Sequence, residues 1–314
     1  MMRPVLLTTT VPECFRLRGG DNRCGEGEAG ARDRDVIVWS PPGQASPPMK
    51  IQGPLSIRTI LRGAESYLIG RRTLRVDDDS YLVINGRREH SIIGQRRDVA
   101  ESLTIFFSSE TRRALLDRDS FAEHLRPHDD VVTPCLRTLL DARRLGVSDN
   151  DWYVEHLRRL YASLVTADDE LHRRATAFVP ASLPTRTELL RRVMTATDYV
   201  NSNYTSAVTL DDIASAANLS KYHLARLFRT LHGVSPAAYL RLKRIRAAER
   251  MIERSDADLA EIAERSGFGS RWSMFRELRR RRGMSGQRIR ESWLRSPSLE
   301  GAGPAAPGLL PTVA

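Results

Sequence analysis

Two stretches of this chain repeat one short pattern. Leu210-Asp-Asp-Ile213-Ala214 and Leu259-Ala-Glu-Ile262-Ala263 are each followed by a turn and then a basic helix. In the first copy the turn is Asn218-Leu219-Ser220 and the helix opens Lys221-Tyr222-His223; in the second the turn is Ser266-Gly267-Phe268 and the helix opens Arg271-Trp272-Ser273. A short apolar helix, a tight turn and a second helix with a basic free face is the helix-turn-helix arrangement, and the duplication predicts two of them. Either basic helix alone reads equally well as an ordinary amphipathic helix with a solvated face. Two copies in register weigh heavily against that reading.

The free face carries the functional expectation. Leu224, Leu227, Phe228 and Leu231 recur at helical spacing and must look inward, which presents Tyr222, Arg226 and Arg229 outward, with Lys221 and His223 at the helix start. In the second copy Phe268, Met274, Phe275 and Leu278 look inward, leaving Ser270, Arg271, Trp272, Ser273 and Arg276 outside. Arginine grips guanine O6 and N7 through two parallel hydrogen bonds, and the first turn of such a helix is the part that reaches base edges in the major groove. The candidate DNA-binding set is therefore Lys221, Tyr222, His223, Arg226, Ser270, Arg271, Trp272 and Arg276.

Between the copies, the run from Ser235 to Ile252 reads as one uninterrupted helix, with Ser235 as N-cap and Pro236 as first residue. At 1.5 Å per residue it is roughly 25–30 Å long, near the 34 Å repeat of a DNA turn. The pattern Ile213-Ala214, Ser220, Leu224, Arg226, Phe228, Gly233, Ser235, Tyr239, Arg244, Ala248, Ile262-Ala263, Gly267-Phe268 and Arg276 resembles the AraC/XylS transcriptional regulators. The resemblance implies a double helix-turn-helix domain over 187–295, promoter DNA as partner, a homodimer, a small-molecule effector and a contact with RNA polymerase. Departures cluster in the second motif: Ser270, Trp272, Met274 and Leu278 replace the usual Asp, Ser, Phe and Phe, and Ser285-Gly286 replaces Ser-Pro. Met and Leu keep the core apolar. Trp272 puts a large ring on the face expected to meet DNA, either to touch a thymine methyl or sugar edge or to pack inward.

Charge agrees with this placement. The net charge of +10 is concentrated in residues 187–295, where 21 Lys and Arg face 12 Asp and Glu, a balance of +9. A basic domain attracts any polyanion, so charge alone selects no sequence. At 314 residues with 41% hydrophobic content the chain has length for two cored domains. Cys14, Cys24 and Cys135 form no Cys-x-x-Cys pair, no apolar run approaches the roughly 20 residues that span a bilayer, and the start is too weakly apolar for a secretory signal. These features predict a cytoplasmic protein with no membrane partner.

Residues 1–50 are rich in Gly and Pro and read as a mostly disordered leader, with Val36-Ile-Val-Trp39 as its one strand. From Ile51 the period becomes that of strands: Ile57–Leu61, Ser66–Gly70, Arg72–Val76, Tyr81–Ile84 and Leu103–Phe107, separated by Gly, Asp and Asn turns, predict an antiparallel sandwich or barrel. Asn85-Gly86 signals a tight turn returning through His90–Ile93. The order resembles, more weakly, the cupin-like effector domain of AraC-type regulators, here over 51–180. Metal-dependent cupins cluster several histidines; this strand region holds only His90, with His124 and His128 beyond it, so no metal, cofactor or catalytic residue is expected. In the helical stretch that follows, Trp152, Tyr153, Leu157, Leu160, Tyr161, Leu164 and Val165 form an apolar stripe. It fits equally the chain's own core and a helix pair across a dimer. Phe178 to Arg186 reads as a linker, and 296–314 as a disordered tail.

The sequence thus predicts an α+β chain: a cupin-like β-barrel or sandwich with trailing helices, then an all-α domain with two helix-turn-helix units. The expected function is sequence-specific, DNA-binding transcription regulation rather than catalysis. Its rivals are an enzyme built on the cupin-like half and an architectural module that uses its arginines without sequence choice.

Overall fold

Strand alternation decides the N-terminal architecture. The computed structural model describes residues 4–16, 34–42, 48–93, 100–114, 121–178 and 182–283, with Arg288 and Glu291. The chain falls into two compact units divided between Arg173 and Arg174. Among the described residues the first unit holds two sheets. One has six strands in the order β1 (Leu6–Thr8), β2 (Val36–Ser40), β9 (Glu101–Phe106), β4 (Ser56–Arg62), β7 (Ser80–Ile84), β10 (Leu125–Pro127); the other has four, β3 (Met49–Ile51), β8 (His90–Ile93), β5 (Ala64–Ile69), β6 (Arg72–Asp77).

Both faces of the six-stranded sheet are covered. Val36, Val38, Ile60, Leu82, Ile84 and Phe106 point between the sheets to meet Tyr67, Ile69, Leu74 and Val76, whereas Ile37, Ile57, Tyr81, Val83, Leu103 and Ile105 point to the other side. There they pack on helices α2 (Thr133–Arg144) and α3 (Asn150–Ala175) through Leu136, Leu139, Tyr153, Leu157, Leu160, Tyr161 and Leu164. A strand buried on both faces has no polar side to show, which is why Tyr81–Ile84 reads as a continuous apolar run. The stripe on α3 is thereby taken up by the chain's own sheet, resolving the alternative that sequence left open.

Several expectations are corrected. The leader contributes β1, β2 and a 3-10 turn at Glu13–Phe15 whose Phe15 is buried against Phe106; residues 17–33, with Cys24, lie outside the described residues. β1 pairs with β2 in parallel, so the sheet is not purely antiparallel. Asn85-Gly86 does not close a hairpin: β7 belongs to the six-stranded sheet and β8 to the other. Asn85 gives its amide to a distant partner instead, donating from Nδ2 to the Phe121 carbonyl (2.9 Å) and accepting the Phe121 N–H at Oδ1 (2.8 Å). The turn is thus a sheet-to-sheet crossing stapled from 121. The short helix α1 (Ser109–Arg113) follows β9.

The second unit begins with α4 (Leu183–Asn203), where sequence suggested a linker. Pro184 sits in its first turn, where the missing N–H has no helical partner to lose. Then come α5 (Leu210–Ala216), α6 (Lys221–His232), α7 (Pro236–Arg254), α8 (Leu259–Arg265) and α9 (Arg271–Arg282). Local chemistry fixes nearly every end. Thr209 and Asp212 form a capping box; Ser220, Ser235, Asp258 and Ser270 each accept a backbone N–H from the first turn of the helix they precede; Gly233 and Gly283 end α6 and α9 in the left-handed conformation. The segment 285–286, which departs from the family pattern, lies outside the described residues.

Candidate nucleic-acid interface

The two motifs are built on one plan with one difference. In each, the turn closes by a backbone hydrogen bond back to the first helix, Leu219 N–H to the Ala214 carbonyl (3.0 Å) and Phe268 N–H to the Ala263 carbonyl (2.8 Å). Asn218 and Gly267 hold the left-handed position, at φ 51° and 82°. The first connection spans 217–220 and the second 266–270, so the second is longer by one residue, Gly269, placed just before the N-cap Ser270. α7 packs against both motifs: its Ile245, Ala248 and Ile252 join Ile262, Ala263, Phe268, Met274 and Leu278 in one cluster, and α6 packs on it too.

This packing leaves one face of each second helix to solvent. On α6, Leu224, Leu227, Phe228 and Leu231 are buried, while Lys221, Tyr222, Arg226 and Arg229 are exposed and His223 is half-buried. On α9, Met274 and Leu278 are buried, Phe275 is half-buried, and Arg271, Trp272, Arg276 and Arg279 are exposed. Tyr222 is 81% and Trp272 72% accessible, which settles that the Trp272 ring does not pack inward.

The side chains of this face are not equally available. Lys221 Nζ lies 3.0 Å from an Asp211 carboxylate oxygen. The Arg271 guanidinium lies over the Trp272 ring, 5.7 Å from its centre. Ser270 is exposed, yet its hydroxyl accepts the Ser273 N–H (3.2 Å), so its structural task is the cap that Ser220 performs on α6. Arg226 and Arg276 are held by no carboxylate among the described residues. Sequence reasoning left Arg229 and Arg279 out of the set, although their matching places after Arg226 and Arg276 point to them.

Further along α9 the arginines are tied. Arg282 Nε donates to Glu249 Oε1 (2.8 Å), Arg281 Nε lies 3.8 Å from the same oxygen, and Arg280 pairs with Glu277 (2.9 Å). Glu249 is buried on α7, so the C-terminal end of α9 is clamped to the helix that carries both motifs.

Residues 213–292 match the helix-turn-helix domain family. The lactose operon transcription activator of Staphylococcus xylosus is 30% identical over 73 residues, 23% of this chain and 26% of that protein. The HTH-type transcriptional activator AarP of Providencia stuartii is 30% identical over 87 residues, 28% of this chain and 64% of that one. The chain thus spans less than two thirds of the length of either relative. A crystal structure of the DNA-binding domain of the global transcriptional factor AdpA in complex with a target DNA is 26% identical, covering 32% of this chain and 92% of that one, with a TM-score of 0.32. Over this stretch the C-terminal unit is similar to helix-turn-helix transcription activators.

The unit ahead of this helix-turn-helix domain has a polar interior. Arg58 on β4, 1% accessible, donates from Nη2 to His90 Nε2 (2.8 Å), and its guanidinium faces the rings of Tyr67 and Phe106 at 5.1 and 5.6 Å; its Nε has no partner among the described residues. The Tyr67 hydroxyl donates to Glu65. Burial, and then the Arg58 charge, push the His90 pKa down to about 3, so this imidazole is neutral, with Nδ1–H donating to the Arg88 carbonyl. The strand-region histidine is therefore committed to an arginine. Among the described residues no group of three or more His, Cys, Asp or Glu is placed to hold a metal ion, and no helix is long and apolar enough to cross a membrane.

Proposed function

We propose that this chain is a sequence-specific, DNA-binding transcription regulator, and that Arg226 and Arg276 are its principal base-reading side chains. The observation that carries the reading is the pair of capped helices, α6 and α9, packed on the single helix α7, each holding an exposed arginine with no carboxylate partner among the described residues one turn in from its start. The expected outcome for Arg226→Ala is a loss of about 1–3 kcal/mol at the cognate site with relaxed preference at one base pair. Sites selected from random DNA with the purified chain supply that cognate sequence. Less than about tenfold preference for selected over random DNA would instead favour an architectural role without sequence choice.

We assign the first unit a sensing role rather than catalysis, in a cytoplasmic protein, with a small-molecule effector bound by that unit. A ligand that favours one arrangement of the chain shifts how both motifs meet the promoter and RNA polymerase. A homodimer in this reading uses a surface other than the α3 stripe, because Leu157, Leu160 and Leu164 already face the sheet. Sedimentation of the purified chain tests the dimer, and a monomer at micromolar concentration removes it.

A further inference from the structure

We propose that the two motifs read like half-sites: each contacts one thymine through an aromatic ring, Tyr222 or Trp272, and one guanine through an arginine, Arg226 or Arg276, in the same order and at the same spacing. This rests on the DNA-reading function proposed above, and it goes further by naming what the DNA must look like.

The structural ground is positional identity. Tyr222 is the second residue of α6 and Arg226 the sixth; Trp272 is the second residue of α9 and Arg276 the sixth. Ser220 and Ser270 cap the two helices in the same way, so both pairs start from the same point of a regular helix. Residues four apart lie on one face, about 6 Å along the axis, roughly two base-pair steps of 3.4 Å. The extra Gly269 precedes the cap, so it alters how α9 leaves its turn but not the geometry between Trp272 and Arg276.

Chemistry assigns the bases. A ring that is four-fifths or nearly three-quarters exposed has no core to serve, and at the groove-facing start of a reading helix the apolar group open to it is the thymine C5-methyl. Arginine at the sixth position, with no competing carboxylate among the described residues, matches the two acceptors of guanine. The Arg271 guanidinium over the Trp272 ring holds that ring near the helix start.

Selection from a random double-stranded pool with the full chain tests this. The expected product holds two segments about one helical turn, roughly 10 base pairs, apart, each with the same thymine and guanine at the same internal spacing. Tyr222→Ala and Trp272→Ala should each erase thymine preference in one segment only and weaken binding roughly 5- to 100-fold, while Trp272→Tyr should keep the selected sequence. Both rings are exposed, so these variants should retain the wild-type circular dichroism. Two segments with unrelated bases, a single segment, or an unchanged site for Trp272→Ala would each overturn the inference. No enriched sequence at all would instead overturn the DNA-reading function beneath it.

Discussion

The two helix-turn-helix motifs share a plan and differ in what holds them. α6 is fixed by hydrocarbon, with Leu224, Leu227, Phe228 and Leu231 all buried. At the places of Leu227 and Leu231, α9 carries Glu277 and Arg281, so only Met274 and Leu278 are fully buried, with Phe275 half so. Two fewer buried aliphatic side chains cost α9 roughly 3–6 kcal/mol of apolar burial at about 1.5–3 kcal/mol each. The Glu249 clamp offsets about 1 kcal/mol, because the Arg282 side chain is 47% exposed and water screens the pair. The difference teaches that a duplicated pattern need not carry duplicated stability: the outward chemistry is repeated more faithfully than the inward packing.

Core truncation should break the comparison most strongly. Phe228→Ala is expected to destabilise the second unit by about 3–5 kcal/mol, and Leu278→Ala by about 2–3 kcal/mol, because α9 has less packing around it to lose. Urea unfolding followed by circular dichroism reads both, and equal losses would show the two cores to be equivalent. The turns come next. Gly267→Ala should cost about 2–4 kcal/mol, since φ is positive and a Cβ there collides with the Tyr204 carbonyl oxygen, whereas Asn218→Gly, in the same backbone conformation but on an exposed turn, should stay within about 1 kcal/mol of wild type.

A smaller effect isolates the clamp. Glu249→Gln should lower stability by about 1 kcal/mol, with the loss shrinking at high salt, and hydrogen exchange should quicken in α9 while α6 stays protected. Uniform quickening in both helices would mean that Glu249 supports α7 and not α9. A further effect is in pH. His232, which ends α6 where α9 has Arg282, is held neutral: burial, then the Arg174 charge, lower its pKa to about 3, and its Nε2 lies 2.8 Å from Thr197 Oγ1. A pKa depressed on folding gives stability that is present above the unfolded value near 6.5 and lost as pH falls toward about 3. His232→Asn should therefore flatten the stability profile between those limits. An unchanged slope would assign the acid sensitivity to other groups.

Legibility in the sequence followed the range of the forces involved. The helix-turn-helix motifs were readable because one short pattern occurs twice and the 3.6-residue period names the buried face of each second helix. α4 was missed because Leu183-Pro184 looks like a linker, although proline in a first turn favours a helix. Strand partners were beyond reach. Asn85-Gly86 has hairpin chemistry, but Phe121, far along the chain, takes the asparagine amide and sends the strand to the other sheet. Likewise nothing in Ile57-Arg58-Thr59 announces an arginine enclosed between sheets; only the pairing of β4 with β7 and β9 turns that side chain inward. The outward positions of Tyr222, Arg226, Trp272 and Arg276 were legible, and the capping task of Ser270 became clear only from its hydrogen bond.

The sharing of α7 reaches into the life of the protein in the cell. Ile245, Ala248 and Ile252 are covered by α8 and α9, so if the thinly packed α9 peels away, a greasy strip opens on a helix that still supports the first motif. A chain in that condition keeps its first motif folded while displaying the surface that chaperones and proteases patrol for. Turnover is then governed by the weaker half, and a substitution in the core of α9 can lower the number of folded molecules without touching the outward faces of α6 and α9.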